Sequence, residues 1–337
     1  MDAITDIDRL REALQTAIEL EHATIPPYLC ALYSIHAGRN TDAAAVIESV
    51  VMEEMLHMVL AANVLNAIKG APAIDHPAFI PRYPAILPHS DGRVIVSLRR
   101  FSADAVRTFQ RIERPEPPSA RPMADGYHTI GQLYAAIQQA LQVLAGGGDI
   151  FTGDPGLQVS GNGRVYGMAG EAIAVHDLES ALAALAVIVD QGEGIDHTIH
   201  DGDAPLGERA MLAHYYRFDE IARRRRYRPS DTPRTGPTGP PLPVDFDAVW
   251  PMRPDPRADD LPPGSELRAM TDELNGIYSD LLRLLHRGLN GEPDQLGQAV
   301  GLMWAIRWKA EALMRVPLGT SGETAGPSFE WVAAPPV

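Results

Sequence analysis

Glu54 and His57 stand three residues apart in "AAAVIESVVMEEMLHMVLAANVLNAIKG", a stretch apolar enough to be buried. On a helix that spacing sends both side chains off one face, here among Val50, Val51, Leu60 and Ala61. A carboxylate and an imidazole left without partners in such a place are strongly destabilising, so they need compensation. One E-x-x-H pair can be compensated within an ordinary core. Three further residues in apolar helical settings, Glu21, Glu193 and His214, point to a metal instead. Helical bundles hold two iron or manganese ions with a Glu from each of two helices and Glu-x-x-His from each of two others. Oxygen donors mixed with imidazole suit those metals better than thiolate-seeking ones.

Asp190 and His197 share the stripe of Glu193, one turn before and one turn after it. They either orient ligands by hydrogen bonding, with His197 also able to ligate, or form a polar face turned to water. The pattern breaks at Met211, where a second Glu-x-x-His needs a Glu three residues before His214. A thioether is a poor ligand for hard iron. Two arrangements stay open: a single metal, or a second position completed by Glu53, Glu208, His197 or water. Glu53 is rotated about 100° from Glu54 around a helix, so only one of them leads the inward stripe.

Apolar periodicity predicts the elements that carry these residues. The first helix spans about residues 6–37; Pro26 and Pro27 strip the carbonyls of His22 and Ala23 of their helical donors, so a kink is expected one turn after Glu21. The second spans about 41–69, started by Asn40 or Thr41 and stopped by Gly70 and Pro72. Residues 71–127 read as a Pro- and Arg-rich crossover with one strand-like piece, "RVIVSL". The helix at 129–144 carries no carboxylate or histidine and is expected to pack, not to ligate. Helices at about 174–199 and 207–227 bring Glu193 and His214. Pro229–Gly264 reads as extended, and a last helix pair covers about 265–289 and 295–316. The division expected is a metal-binding bundle over 1–228 with an insertion at 71–170, an extended segment over 229–264, and a helix pair and tail over 265–337 packed on the bundle. The glycines at 146–148 lack the Gly-Lys-Ser/Thr of a phosphate loop, and Arg223–Arg226 sit where a helix C-terminus favours cations.

Composition narrows the function. With 44 acidic and 29 basic side chains the net charge is −15, which repels nucleic acid. The single cysteine, Cys30, cannot close an internal disulfide, which fits a reducing, cytoplasmic setting. The start has no basic-then-apolar leader pattern, and the longest apolar run, Ala181–Val189, is too short to cross a bilayer. No membrane partner is expected. Aromatic content is 6%, and Trp250, Trp304, Trp308 and Trp331 are expected to pack the C-terminal pair onto the bundle.

"LQTAIELEHATIPPYLCALYSI", "EEMLHMVLAANVLNAIKGAP", "FIPRYPAILP", "HYYRFDEI" and "TAGPSFEW" resemble the ferritin-like domain of the iminophenyl-pyruvate dimer synthase group, known from violacein- and rebeccamycin-type pathways. The likeness runs over nearly the whole chain. It implies an all-α, ferritin-like four-helix bundle with a long crossover insertion and an added C-terminal helix pair. It places Glu21, Glu54, His57, Glu193 and His214 at metal-ligand positions. The expected cofactor is one or two iron ions, with manganese as the other candidate. The expected activity is oxidation or oxygenation by O2 of a small organic metabolite, with amino-acid-derived compounds among the candidates. Imine coupling of the kind that names the group is one alternative, and non-catalytic metal binding or storage, with an oligomer, is the other.

Overall fold

The computed structural model describes residues 4–117, 119–162, 170–202 and 211–334. Helix α1 (Ile7–Ser34) starts where the Asp6 carboxylate accepts hydrogen bonds from the Asp8 and Arg9 amides. It runs on through Pro26 and Pro27 without ending, and the Tyr83 hydroxyl donates to the Ala23 carbonyl (2.8 Å) that Pro27 leaves without a donor. Helix α2 (Thr41–Ala67) packs along α1, and its preceding Asn40 is tied to Asp245 instead of capping the first turn.

The crossover is more structured than its composition suggests. It holds the two-residue strands β1 (Ala85–Ile86) and β2 (Ile95–Val96), paired antiparallel, and then helix α3 (Ala103–Ile112), capped by Ser102. Helix α4 (Ile130–Gly147) packs on α1 and on α5 (Leu178–Glu193), while α5 packs on α2. These four close the bundle. A second two-stranded piece, β3 (Gly161–Asn162) with β4 (Glu171–Ala172), lies between α4 and α5 in the chain.

Helix α6 spans His214–Arg223 against the expected 207–227; 207–210 lie outside the described residues, and from 211 on His214 is the first helical residue, so Met211 is not on the helix. The stretch before it is extended instead, with Leu212 bridging antiparallel to His200. Helices α3 and α6 pack together across the side of the bundle. Helices α7 (Glu266–Leu289) and α8 (Leu296–Leu313) form the C-terminal pair.

The Pro-rich segment is held by strand-like pairing to the end of α1: Trp250 N donates to Ser34 O (2.8 Å) and His36 N to Ala248 O (3.1 Å). In the tail Phe329 is buried against Tyr278, and Ser328 and Glu330 bond to Asn275. The expected packing role of the tryptophans fails on α8, where Trp304 and Trp308 are 46% and 67% exposed. No helix among the described residues is long and apolar enough to cross a membrane.

Candidate metal centre

Glu21 on α1 and Glu54 and His57 on α2 meet in the bundle interior, all buried. Nδ1 of His57 lies 3.5 Å from Glu21 Oε2 and 4.0 Å from Glu54 Oε1. Its Nε2 contacts the Gln191 side-chain oxygen at 2.8 Å. An amide oxygen only accepts, so Nε2 donates to Gln191 and Nδ1 is the ring nitrogen that faces the centre.

A second group faces the first. Nδ1 of His214 lies 2.9 Å from Glu54 Oε1 and 3.4 Å from Oε2 of Glu113, the residue that ends α3. Glu21, Glu54 and His57 each offer one donor atom to a common point, as do Glu54, Glu113 and His214, the atoms of each group lying within 4.8 Å of one another. Glu54 belongs to both. The two imidazoles lie nearly parallel across it, their ring centres 5.4 Å apart.

The surroundings orient these donors. Tyr134 of α4 donates its hydroxyl to Glu21, Tyr28 donates to Glu113, and the Thr24 hydroxyl donates to Glu54 (3.0 Å). Nε2 of His214 donates to Glu53 (2.8 Å); Glu53 in turn accepts from Arg217 (2.9 Å), and Arg217 reaches Asp201 (2.8 Å). Glu53 is thus a partner of a ligand, one step removed from the centre.

Charge in the site is unbalanced. Burial, and then repulsion from Glu113 and Glu21, pushes the Glu54 carboxyl well above the ordinary range. Burial, the largest influence, would raise Glu21 too, but His57, Glu54 and Tyr134 together outweigh it and hold the carboxyl low. Burial opposes protonation of His214, yet Glu113, Glu53 and Glu54 together raise it. At Glu53 burial, the largest influence, is overcome by the Arg217 guanidinium and His214 together, which hold the carboxyl down to about 2.

The residues fit a metal. Despite the 2.9 Å approach of Glu54, Nδ1 of His214 is a buried atom with no hydrogen bond of proper geometry. Three carboxylates and two imidazole nitrogens converge on it and on its neighbour. Hard, oxygen-preferring divalent cations satisfy such a set.

The other expected ligands lie elsewhere. Glu193 lines the small cavity beside the centre, but its carboxylate accepts from the backbone amides of Glu116 (2.8 Å) and Gly131 (2.9 Å) and joins neither group. Burial pushes it up to about 7. His197 is exposed in a short turn of 3-10 helix, and Asp190 joins neither group. Glu208 lies outside the described residues. Met211 borders a broad surface cleft with Arg217 and Arg228, so it does not approach a metal position from one turn before His214.

The residue that sequence reasoning missed is Glu113. Its signal was the stripe Val106, Phe109 and Ile112, with Glu113 next in helical register to Phe109, inside a crossover whose proline and arginine content hid a helix.

This is the architecture of a ferritin-like carboxylate bundle, and the chain belongs to the ferritin-like family, whose model matches residues 14–223. It is 27% identical over 330 residues to dichlorochromopyrrolate synthase of Lentzea aerocolonigenes, covering 87% of this chain and 30% of that protein. To 2-imino-3-(indol-3-yl)propanoate dimerase of Chromobacterium violaceum it is 26% identical over 371 residues, covering 95% and 33%. Both fit the group that the sequence resembles. The chain spans about a third of the length of these curated relatives. A ferritin-like protein from Caulobacter vibrioides shares the fold, with a TM-score of 0.66 at 23% identity over 97% of this chain and 100% of that one.

Proposed function

We propose that the chain binds two iron ions and is an oxygen-dependent oxidase or oxygenase acting on a small, amino-acid-derived metabolite. The observation that carries this reading is the sharing of Glu54 between two three-residue donor groups. A carboxylate common to both groups suits a bridging ligand, and each group has one imidazole of its own. Bound iron would supply the redox equivalents and an open position for oxygen.

The protein's part is to hold and insulate. Gln191 and Glu53 fix the two imidazole tautomers, and Tyr134 and Tyr28 hold Glu21 and Glu113 in place. Arg217 helps to keep Glu53 ionised, so Glu53 accepts the Nε2–H hydrogen bond of His214 and leaves the proton on that nitrogen. Ile112, Ile130 and Ile188 line the small cavity beside the ligands and limit water there.

A second reading, a part in coupling two imines, is favoured by the name of one relative, the 2-imino-3-(indol-3-yl)propanoate dimerase. It ranks second because this chain matches only a third of that protein. Anaerobic ferrous titration followed by oxygen uptake tests the first reading. Two irons per chain, with uptake that responds to aromatic amino acids or their 2-imino acids, is the expected result. Failure to bind ferrous iron would remove the assignment, whereas binding with uptake indifferent to any organic substrate would favour metal storage.

A further inference from the structure

Helix α8 turns Ala299, Ile306, Ala310 and Leu313 inward onto α7 and α1. Its opposite side carries Gly297, Gly301, Trp304 and Trp308, which recur at four, three and four residues and so form one stripe. All four are exposed.

Neither residue type suits a helix face turned to water. Glycine weakens a helix relative to alanine, because the chain gives up more freedom there. Nothing within the chain calls for it: both glycines are helical, and a Cβ at Gly297 or Gly301 would meet no atom within 4 Å. The two tryptophan rings beside them stand with centres 6.5 Å apart, each with about half or more of its surface open to solvent. Single exposed apolar side chains are ordinary, but large adjacent ones mark a contact surface.

A two-fold contact needs a surface complementary to itself, and the order of this stripe meets that need. Gly301 and Trp304 stand one residue either side of the pair Leu302 and Met303, and Gly297 and Trp308 stand five either side. In two α8 helices set antiparallel about that midpoint, Trp304 of each copy would lie over Gly301 of the other, and Trp308 over Gly297. Bare backbone supplies the hollow and the rings supply the bulk.

Charge selects the same direction. From 290 to 306 the chain carries Glu292 and Asp294 and no basic side chain, whereas 307–315 carries Arg307, Lys309 and Arg315 against Glu311 alone. Arg315 is mostly exposed and only loosely held, 3.9 Å from Glu311. An antiparallel pair sets the acidic end of one helix on the basic end of the other and opposes the two helix dipoles; a parallel pair would set like on like.

We infer that this stripe is the interface at which two copies of the chain pair, their α8 helices antiparallel about a two-fold axis beside Leu302 and Met303.

Sedimentation equilibrium of the full chain over a range of concentrations tests it. A reversible monomer–dimer equilibrium is expected for the parent. Trp308→Glu and Gly301→Gln should each weaken pairing by about thirtyfold or more, the usual effect of losing a central interface residue. Gly301→Gln also controls for folding: at a dilution where the parent is monomeric it should unfold at a higher urea concentration than the parent, since glutamine is the better helix former. Arg315→Glu should weaken pairing, and Glu292→Arg with Asp294→Arg added to the same chain should restore it. The inference is overturned if the parent is monomeric at every concentration, if Trp308→Glu or Gly301→Gln pairs like the parent, or if the second charge reversal fails to rescue the first. A monomeric parent whose tryptophan emission shifts to the blue on phosphatidylcholine vesicles would overturn it too and assign the stripe to a lipid surface.

Discussion

Glu54 is the one side chain on which both donor groups depend, and substitutions should separate it from its neighbours. Glu54→Ala should abolish binding of both metals, and Glu113→Ala should leave about one per chain by elemental analysis, because His57 and Glu21 do not touch Glu113's group. Glu53→Ala should keep the stoichiometry but weaken the position beside His214 by about 10- to 100-fold, the usual effect of losing the partner that orients a ligand. Retention of both metals in Glu54→Ala would refute the shared-ligand arrangement. Four members of the two donor groups were readable from residue type and spacing: Glu21, Glu54, His57 and His214 all sit in apolar helical stretches, where a charged group needs a reason. Glu193 met the same criterion and fails as a ligand because the backbone amides of Glu116 and Gly131 supply its compensation. Pattern cannot tell a metal from a pair of N–H groups. The assignment makes a pH prediction for metal-free protein. The Glu193 carboxyl rises in the fold from 4.5 to about 7, so its contribution to stability is fully present below about pH 4.5 and is lost as pH rises through about 7. The shift corresponds to on the order of 3 kcal/mol. Denaturant unfolding of Glu193→Gln should show a flatter stability profile across that window, and an unchanged slope would place the titration elsewhere.

At the level of elements, the helices with strong periodicity and clear stops were legible: α1, α2, α4, α7 and α8 all fall within a few residues of expectation. The short ones were not. Helix α3 is only 10 residues long, and α6 begins at His214 because the chain ahead of it pairs with His200 in an extended conformation. That start removes the helical register that would have placed Met211 near a metal. Met211→Glu should therefore add a carboxylate to the cleft that holds Arg217 and Arg228 and should not raise the metal count. A gain of metal would mean that the segment before α6 coils into helix in the loaded protein. A tighter constraint lies where the loop after α4 docks on the end of α2. The Gly153 amide donates to Ala67 O (2.9 Å), and a Cβ at 153 would sit 1.9 Å from the Asn66 backbone oxygen. Backbone cannot yield as a side-chain tip can, so Gly153→Ala should cost about 1–3 kcal/mol or more, read from the urea midpoint.

For the molecule as a whole, the two sides of the α1–α2 pair differ: one gathers buried carboxylates and imidazoles, the other borders a cavity lined mostly by apolar side chains. Gathering three carboxylates in a dry interior opposes folding unless protons or cations offset them. The raised Glu54 carboxyl and the raised His214 imidazole show where protons serve in the metal-free chain. Metal must displace those protons, so binding should release protons and tighten as pH rises. On this reading chelation should destabilise the whole fold and not the site alone, because α1, α2 and α6 and the residue that ends α3 each supply a member of the two donor groups. Ferrous iron at a thousand times its dissociation constant would add about 4 kcal/mol per independent site. Glu54→Gln separates this linkage from general packing. A neutral amide of the same size matches the protonated carboxyl of the metal-free chain, so the metal-free variant should melt no lower than the metal-free parent, and iron should no longer raise its melting temperature. A metal-free Glu54→Gln that melts well below the parent would show that the Glu54 carboxyl supports the metal-free fold through its 2.9 Å contact with His214, since an amide oxygen still accepts from Thr24.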